Sequence, residues 1–155
     1  MPSLQINHFG ISVRDIERST EFYKLLGAEI AVETALFSGP KMDKGLGLEG
    51  VELKACMISF GGSLVELLEY VSPVGDDYAS INANVGAPHL AFQVDDIQSL
   101  YDSLSDAGFN FLSEPVLIED GPFVGGYFVY SVDPDGISVE LIQPGPGFAS
   151  AIASL

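Results

Sequence analysis

The sequence is poor in basic residues and contains one cysteine. Six lysine and arginine residues stand against 22 aspartate and glutamate residues among 155, which gives a net charge of −16. Such an acidic chain repels a phosphate backbone or an anionic membrane surface, so we expect neither as a partner. The single cysteine, Cys56, excludes an internal disulfide. Its apolar neighbours favour a packed thiol over a nucleophile.

Long apolar runs are also missing. No stretch approaches the roughly 20 residues that a membrane-spanning helix needs. The first ten residues lack the basic start and apolar middle of a signal peptide. We therefore expect a cytoplasmic protein, and the length predicts a single domain, residues 1–155, large enough to bury a core.

The chain does contain an internal repeat. Residues 89–111, HLAFQVDDIQSLYDSLSDAGFNF, align without a gap with residues 8–30, HFGISVRDIERSTEFYKLLGAEI. Both segments read as strand, turn, helix, glycine and strand, and their apolar positions share one register. The repeat predicts two modules of one architecture. We place the first module at 4–70, a linker at 71–88, the second module at 89–143, and a tail at 144–155 that is either frayed or laid on a partner.

Residues that commonly cap helices or form loops indicate where the elements of each module begin and end. Asp15 and Asp96 suit the N-caps of two helices, and Gly27 and Gly108 suit their C-terminal caps. The glycine-rich stretches 38–50 and 113–126 predict loops, the first a candidate lid and the second a loop over a pocket. We expect the remaining strands at 29–34, 51–60, 63–70, 109–112, 127–132 and 137–143.

Strand alternation gives the repeat a chemical interpretation. In four strands one strong metal-ligand residue falls on the face opposite the helix-packing face: His8, Glu66, His89 and Glu140. Each residue alone is commonly structural or solvated. A carboxylate inside an apolar strand, however, costs several kcal/mol to desolvate unless something neutralises it. Two imidazoles and two carboxylates suit one divalent ion, such as Zn, Ni, Co, Mn or Fe.

Four segments of the chain carry a resemblance to a known family: INHFGISVRDIERSTEFYKLLGAEI, LVELLEY, PHLAFQVDDI and VDPDGISVELIQP. The chain resembles the vicinal oxygen chelate superfamily, which includes glyoxalase I, methylmalonyl-CoA epimerase, extradiol dioxygenases and bleomycin resistance proteins. The resemblance covers nearly the whole chain. It implies an α+β fold of two tandem βαβββ modules, whose curled mixed sheets form a cup around a metal site. In the glyoxalase and epimerase branches the ligands match His8, Glu66, His89 and Glu140.

The resemblance also implies a reaction. A glyoxalase-like or epimerase-like lyase or isomerase would bind two neighbouring substrate oxygens on its metal and stabilise an enolate, and a carboxylate would transfer the proton. Glu140 is our first choice for that base, and Glu66 is the second. An Fe(II) extradiol-type dioxygenase and a non-catalytic binding or resistance protein stay open as alternatives. The presence of Glu66 speaks against the dioxygenase, and the complete ligand set speaks against the binding protein.

The substrate is a small carbonyl, hydroxy-acid or thioester compound in this interpretation. Ser138 and Gln93 share the predicted metal-facing parity and are candidates to hydrogen-bond it, and Phe123 and Tyr127 are candidates to line an apolar pocket. Lys41 and Lys44 could bind an anionic thioester. Because members of the resembled family commonly dimerise through their module edges, we expect a homodimer, with the apolar tail around Phe148 and Ile152 as a further hint.

Overall fold

The short strand, aspartate and helix that open each half of the sequence recur in the fold. The structure is a computed structural model and describes residues 4–77 and 81–148. The chain divides into two compact units, Met1–Tyr78 and Ala79–Leu155. The division falls inside the stretch 71–88 that the sequence predicts as a linker, so each unit contains one copy of the repeat.

The first unit contains six elements and one four-stranded sheet. In chain order they are β1 (Phe9–Ser12), α1 (Ile16–Leu25), β2 (Glu29–Ser38), α2 (Pro40–Leu46), β3 (Glu52–Phe60) and β4 (Ser63–Ser72). The strand order is β1-β4-β3-β2, with β1 and β4 parallel and the other neighbours antiparallel. The sheet is therefore mixed and open at both edges.

The second unit repeats this plan with shorter strands. Its elements are β5 (His89–Gln93), α3 (Ile97–Asp106), β6 (Val116–Leu117), β7 (Tyr127–Val132) and β8 (Ser138–Gln143). The strand order is β5-β8-β7-β6, with β5 and β8 parallel. The predicted α+β fold of two tandem βαβββ modules with mixed sheets is confirmed.

Both helices begin in the same way. The Asp15 carboxylate accepts hydrogen bonds from two amides in the first turn of α1, each at 3.0 Å, and Asp96 accepts one at 3.1 Å from α3. The last strand of each module adds a second acceptor. Glu69 Oε2 lies 3.0 Å from the first amide of α1, and Gln143 Oε1 lies 2.8 Å from the first amide of α3. Each helix is thus fixed to its own sheet through an amide that would otherwise lack a partner.

Helix and sheet enclose a core in each unit. Buried residues of the first unit include Ile16, Tyr23, Ile58 and Leu67, and those of the second include Leu104, Val129, Val139 and Leu141. Cys56 lies in the first core, with its Sγ 3.9 Å from Thr20 Oγ1 of α1. Burial raises the pKa of this thiol, which disfavours the nucleophilic thiolate. The prediction of a packed cysteine is confirmed.

Part of the predicted loop 38–50 is instead regular structure. Strand β2 continues to Ser38, and residues 40–46 form α2. Pro40 opens this helix, and Gly47 ends it in the left-handed conformation with φ of 67°. The glycine content suggested a loop, but proline at the start and glycine after the end are also the boundary signals of a short helix. The loop prediction is wrong for these residues.

The predicted strand at 109–112 is also wrong. This segment contributes an isolated bridge between Phe111 and Ser131, and the edge strand β6 forms further along, within the predicted loop 113–126. The start of the tail packs on the same loop, since the Phe148 and Phe123 rings lie 5.1 Å apart. A Cβ at Gly126 would lie 2.7 Å from the backbone oxygen of Gln143, so glycine permits this contact. Ile152 lies outside the described residues.

Within the described ranges, no helix is long and apolar enough to cross a membrane.

Candidate metal-binding and catalytic site

His8 and Glu66 lie side by side on the sheet of the first unit. The parallel register pairs Gly10 of β1 with Glu66 of β4. His8 precedes Gly10 by two residues, so its side chain is on the same face as Glu66. His8 Nε2 and Glu66 Oε2 are 3.2 Å apart. The first module therefore presents one imidazole nitrogen and one carboxylate oxygen to the same point.

His89 and Glu140 form the equivalent pair in the second unit. Here Ala91 of β5 pairs with Glu140 of β8, and His89 precedes Ala91 by two residues. His89 Nε2 and Glu140 Oε2 are 3.4 Å apart. The offset between histidine and glutamate is thus the same in both modules. Two copies of one structural module would have the same offset between histidine and glutamate. Two unrelated surface contacts would have no reason to share it.

The pairs are partly accessible to solvent. The side chains of Glu66 and Glu140 are 25% and 13% exposed, and those of His8 and His89 are 33% and 48% exposed. Each carboxylate is therefore largely removed from water, while each imidazole can still be reached. This is the accessibility that an ion-binding or substrate-binding position needs.

The tautomer of His8 leaves its Nε2 atom suited to bind a cation. His8 Nδ1 lies 2.8 Å from Asn7 Oδ1, which can only accept a hydrogen bond. Nδ1 therefore carries the proton, and in the neutral ring Nε2 has a lone pair directed at the Glu66 carboxylate. Two acceptors at 3.2 Å need a cation or a proton between them. A histidine that donates through its second nitrogen is also the usual arrangement of a metal ligand.

The distances in both pairs fit two ligands of one ion. Ligand atoms about 2.1 Å from an ion lie about 3.0 Å apart at 90° and about 3.4 Å apart at the tetrahedral angle. The observed separations of 3.2 and 3.4 Å fall within this interval. They also fit a hydrogen bond from a protonated imidazole. Among residues 4–77 and 81–148, no three histidine, cysteine, aspartate or glutamate side chains group closely enough to hold a metal ion, so each His–Glu pair supplies two candidate ligands.

Tyr130 completes the second pair and was missed in the sequence analysis. The antiparallel register places Tyr130 of β7 directly beside Glu140. Its ring meets the His89 ring edge to face, with centroids 5.8 Å apart. Burial, together with the charge of Glu140 and a hydrogen bond to it, raises the pKa of Tyr130 to about 12. The phenol therefore keeps its proton and donates to the carboxylate.

The first pair has a different neighbour. The strand partner of Glu66 on β3 is Met57. A thioether cannot donate a hydrogen bond, so Met57 cannot hold Glu66 as Tyr130 holds Glu140. The two His–Glu pairs share one geometry but differ in how firmly their carboxylates are fixed.

The chain also matches known proteins. A family model described as the Glyoxalase/Bleomycin resistance protein/Dioxygenase superfamily matches residues 5–141. The chain belongs to this superfamily. Its members use divalent metals, and the donor set described above is consistent with that property.

Relatives within the superfamily include enzymes of more than one class. The chain is 30% identical over 148 residues to a 2-epi-5-epi-valiolone epimerase from Actinomyces sp, covering 91% of this chain and 80% of the relative. It is 30% identical over 152 residues to a probable lactoylglutathione lyase from Vibrio cholerae, covering 92% and 93% of the two chains. A glyoxalase family protein of known structure from Bacillus cereus superposes with a TM-score of 0.77 at 21% identity, covering 93% and 96%. The last similarity supports the superfamily fold.

The polar residues predicted to contact substrate lie on the face expected for them. Gln93 and Ser138 belong to β5 and β8, and strand register puts both on the face that carries Glu140. Gln93 is exposed, whereas Ser138 is buried and its hydroxyl donates to the side-chain oxygen of Asn82. Gln93 is thus the more accessible of the two, and substrate contact stays a prediction for both.

The two aromatic candidates belong to β7 and to the loop that precedes it. Tyr127 pairs with Gln143, whose side chain caps α3, so Tyr127 lies on the helix-facing side of β7 and not beside Glu140. The tyrosine on the Glu140 face is Tyr130, three residues further along. Phe123 lies in the loop between β6 and β7, with its ring against Phe148. A role in a substrate pocket stays a prediction for both Tyr127 and Phe123.

Proposed function

We propose that this protein is a divalent-metal-dependent lyase or isomerase that transfers a proton next to a carbonyl group of a small substrate. The observation that carries this proposal is the His–Glu pair repeated at one strand register in both units. Folding alone does not require a carboxylate at either position. The relatives that are an epimerase and a probable lyase support the same broad class of reaction.

The proposed metal ligands are His8, Glu66, His89 and Glu140. Two nitrogen and two oxygen donors suit Zn, Ni, Co, Mn or Fe(II). When bound, such an ion supplies a Lewis acid that polarises the substrate carbonyl and makes the neighbouring C–H bond more acidic.

Side chains of this protein transfer the proton, orient the base and bind the substrate. One of the two carboxylates, Glu140 or Glu66, takes the proton from the substrate carbon and returns it to the neighbouring carbon or to the opposite face. Tyr130 donates to Glu140 and holds its orientation. Gln93 is exposed on the same face and is our candidate to hydrogen-bond a substrate oxygen.

Metal binding followed by proton exchange tests the proposal. Protein stripped with a chelator should bind about one Zn, Ni, Co, Mn or Fe ion per chain and should then exchange the α-proton of its substrate for solvent deuterium. Glu140→Gln and Glu66→Gln should each reduce exchange by removing a proposed metal ligand, and the variant that also lacks the general base should lose at least about 100-fold. The matched control is Glu21→Gln, an exposed residue of α1 paired with Lys24, which should leave exchange unchanged.

Other outcomes contradict the proposal in distinct ways. A protein that binds none of these ions cannot use this chemistry. Fe(II)-dependent oxygen consumption would select a dioxygenase instead. Stoichiometric binding of a small molecule without turnover would select a binding protein.

A further inference from the structure

The sheet faces that carry the His–Glu pairs contain no lysine or arginine. Cross-strand partners share a face, so the registers with Glu66 and Glu140 define these faces. In the first unit the neighbours on the Glu66 face include Gly10, Ala55, Met57, Ser59, Leu64 and Leu68. In the second unit those on the Glu140 face include Ala91, Gln93, Phe128, Tyr130, Val132 and Ile142. Both faces combine apolar groups with uncharged hydrogen-bonding groups.

Three of the six basic side chains are already engaged elsewhere. Arg14 donates to the Asp77 carboxylate and to the Gly75 carbonyl in the segment after β4. Lys24 pairs with Glu21 on the surface of α1 at 2.7 Å. Lys54 pairs with Glu69 at 2.7 Å, and because Glu69 caps α1, this pair lies on the helix-facing side of the sheet.

The other three basic residues lie on helices. Arg18 is part of α1, and Lys41 and Lys44 are part of α2, which contacts the edge strand β2. All six basic residues of the sequence fall within the described ranges. None therefore lies on the β-strand positions that surround Glu66 or Glu140.

We infer that the substrate of the proposed reaction is a neutral, hydroxylated ketone or aldehyde and not a thioester of an anionic carrier such as coenzyme A or glutathione. This inference rests on the proposed function, because it specifies the substrate of the same site.

Charge balance supports the choice. The two carboxylates of the proposed ligand set offset the two positive charges of a divalent ion, so no excess positive charge remains for a phosphate or a second carboxylate. The net charge of −16 adds a long-range repulsion toward anions, which salt screens over about 8 Å at physiological ionic strength. Hydroxyl groups, in contrast, can bond to uncharged side chains such as Gln93, Ser59 and Tyr130 without a charged partner.

Deuterium exchange into substrates of opposite charge tests this inference. The metal-loaded protein is incubated in deuterium oxide with 2-keto-myo-inositol as the neutral probe. Methylmalonyl-CoA and the hemithioacetal of methylglyoxal and glutathione are the anionic probes, and loss of the α-proton signal is followed by nuclear magnetic resonance. We expect kcat/KM at least about 100-fold larger for the neutral probe. Its value should change less than about twofold between low and physiological salt, because no screened charge pair is involved.

A binding measurement gives an independent readout. Free coenzyme A and glutathione should not raise the unfolding temperature of the metal-loaded protein, whereas the neutral ketone should raise it. The double variant Lys41→Gln/Lys44→Gln checks the two helix lysines, and it should leave exchange into the neutral probe within about twofold of wild type.

The outcomes separate the inference from the proposed function. Exchange into either anionic probe with kcat/KM equal to or above that of the neutral ketone overturns the inference and leaves the proposed function standing. A KM for an anionic probe that rises when Lys41 and Lys44 are replaced has the same meaning. Metal binding without exchange into any of the three probes overturns both.

Discussion

Replacing Tyr130 with phenylalanine removes one hydroxyl group and keeps the ring beside His89. The lost group donates to Glu140, which is 13% exposed, so water only partly replaces it. A hydrogen bond to a charged group contributes about 1.5–3 kcal/mol. Because Tyr130 is only half-buried, we take the lower end, and about 1.4 kcal/mol corresponds to a tenfold change in an equilibrium constant. We therefore expect the Kd for a divalent ion to rise about tenfold, within the range of 10–100-fold seen for residues that orient metal ligands.

The assay is a titration of chelator-treated protein with Co(II), followed by calorimetry and by the visible absorption of the bound ion. Tyr130→Phe should bind more weakly and should shift the absorption bands, because Glu140 is no longer held in one orientation. Met57→Leu is the matched control at the equivalent position of the first module, and its Kd should stay within about twofold of wild type. Thermal unfolding of the metal-free proteins checks that both variants fold.

A Tyr130→Phe protein with wild-type affinity and an unchanged spectrum would refute the reasoning. An equal loss in Met57→Leu would also refute it, since the two His–Glu pairs would then not differ in the support of their carboxylates. If the wild-type protein binds no Co(II), the proposal of a metal site is itself refuted.

Three further predictions test other parts of the structure. Gly126→Ala should lower the free energy of unfolding by about 1–3 kcal/mol in a denaturant titration, because its Cβ would clash with the Gln143 backbone, whereas Gly45→Ala, with open space around it in α2, should not destabilise the protein. Asp96→Ala should cost about 1 kcal/mol in the same titration by removing the N-cap of α3. The pKa of Tyr130 is raised from 10.0 to about 12, so in an ultraviolet pH titration this residue should form tyrosinate at a higher pH than a free tyrosine does. Because the unfolded chain releases this proton near pH 10, the associated stability is complete below about pH 10 and is lost as the pH rises through about 12.

The repeat was visible in the sequence because it depends on local patterns. Asp15 and Asp96 mark helix starts, and alternation in the strands assigns His8 and His89 to a face without any knowledge of the partner strands. These features follow from the periods of helix and strand alone. The repeated strand and helix that open each module, and the sheet face of both histidines, could therefore be predicted.

Features that depend on register were harder to predict. The contact between Tyr130 and Glu140 joins two strands and is not visible in the local pattern of either strand. It could be found only by counting residues on both sides of the turn at 133–136, which pairs the two positions. The glycine content around α2 favours a loop and hides the boundary signals of the helix. Strand β6 forms away from the predicted position because an edge strand has only one partner strand to fix it.

A comparison of two equivalent positions indicates why the pair carboxylates are present. Glu69 and Gln143 perform the same structural task, accepting a hydrogen bond from the first amide of a helix. Glu69 is charged, is 16% exposed and is paired with Lys54. Gln143 accepts the equivalent hydrogen bond as an uncharged amide. Folding therefore accepts either residue type at that position. Three residues earlier, Glu66 and Glu140 are both carboxylates, both largely shielded from water and both beside a histidine. Since a neutral residue there would avoid the desolvation cost, their charge is better explained by binding a cation than by stabilising the fold.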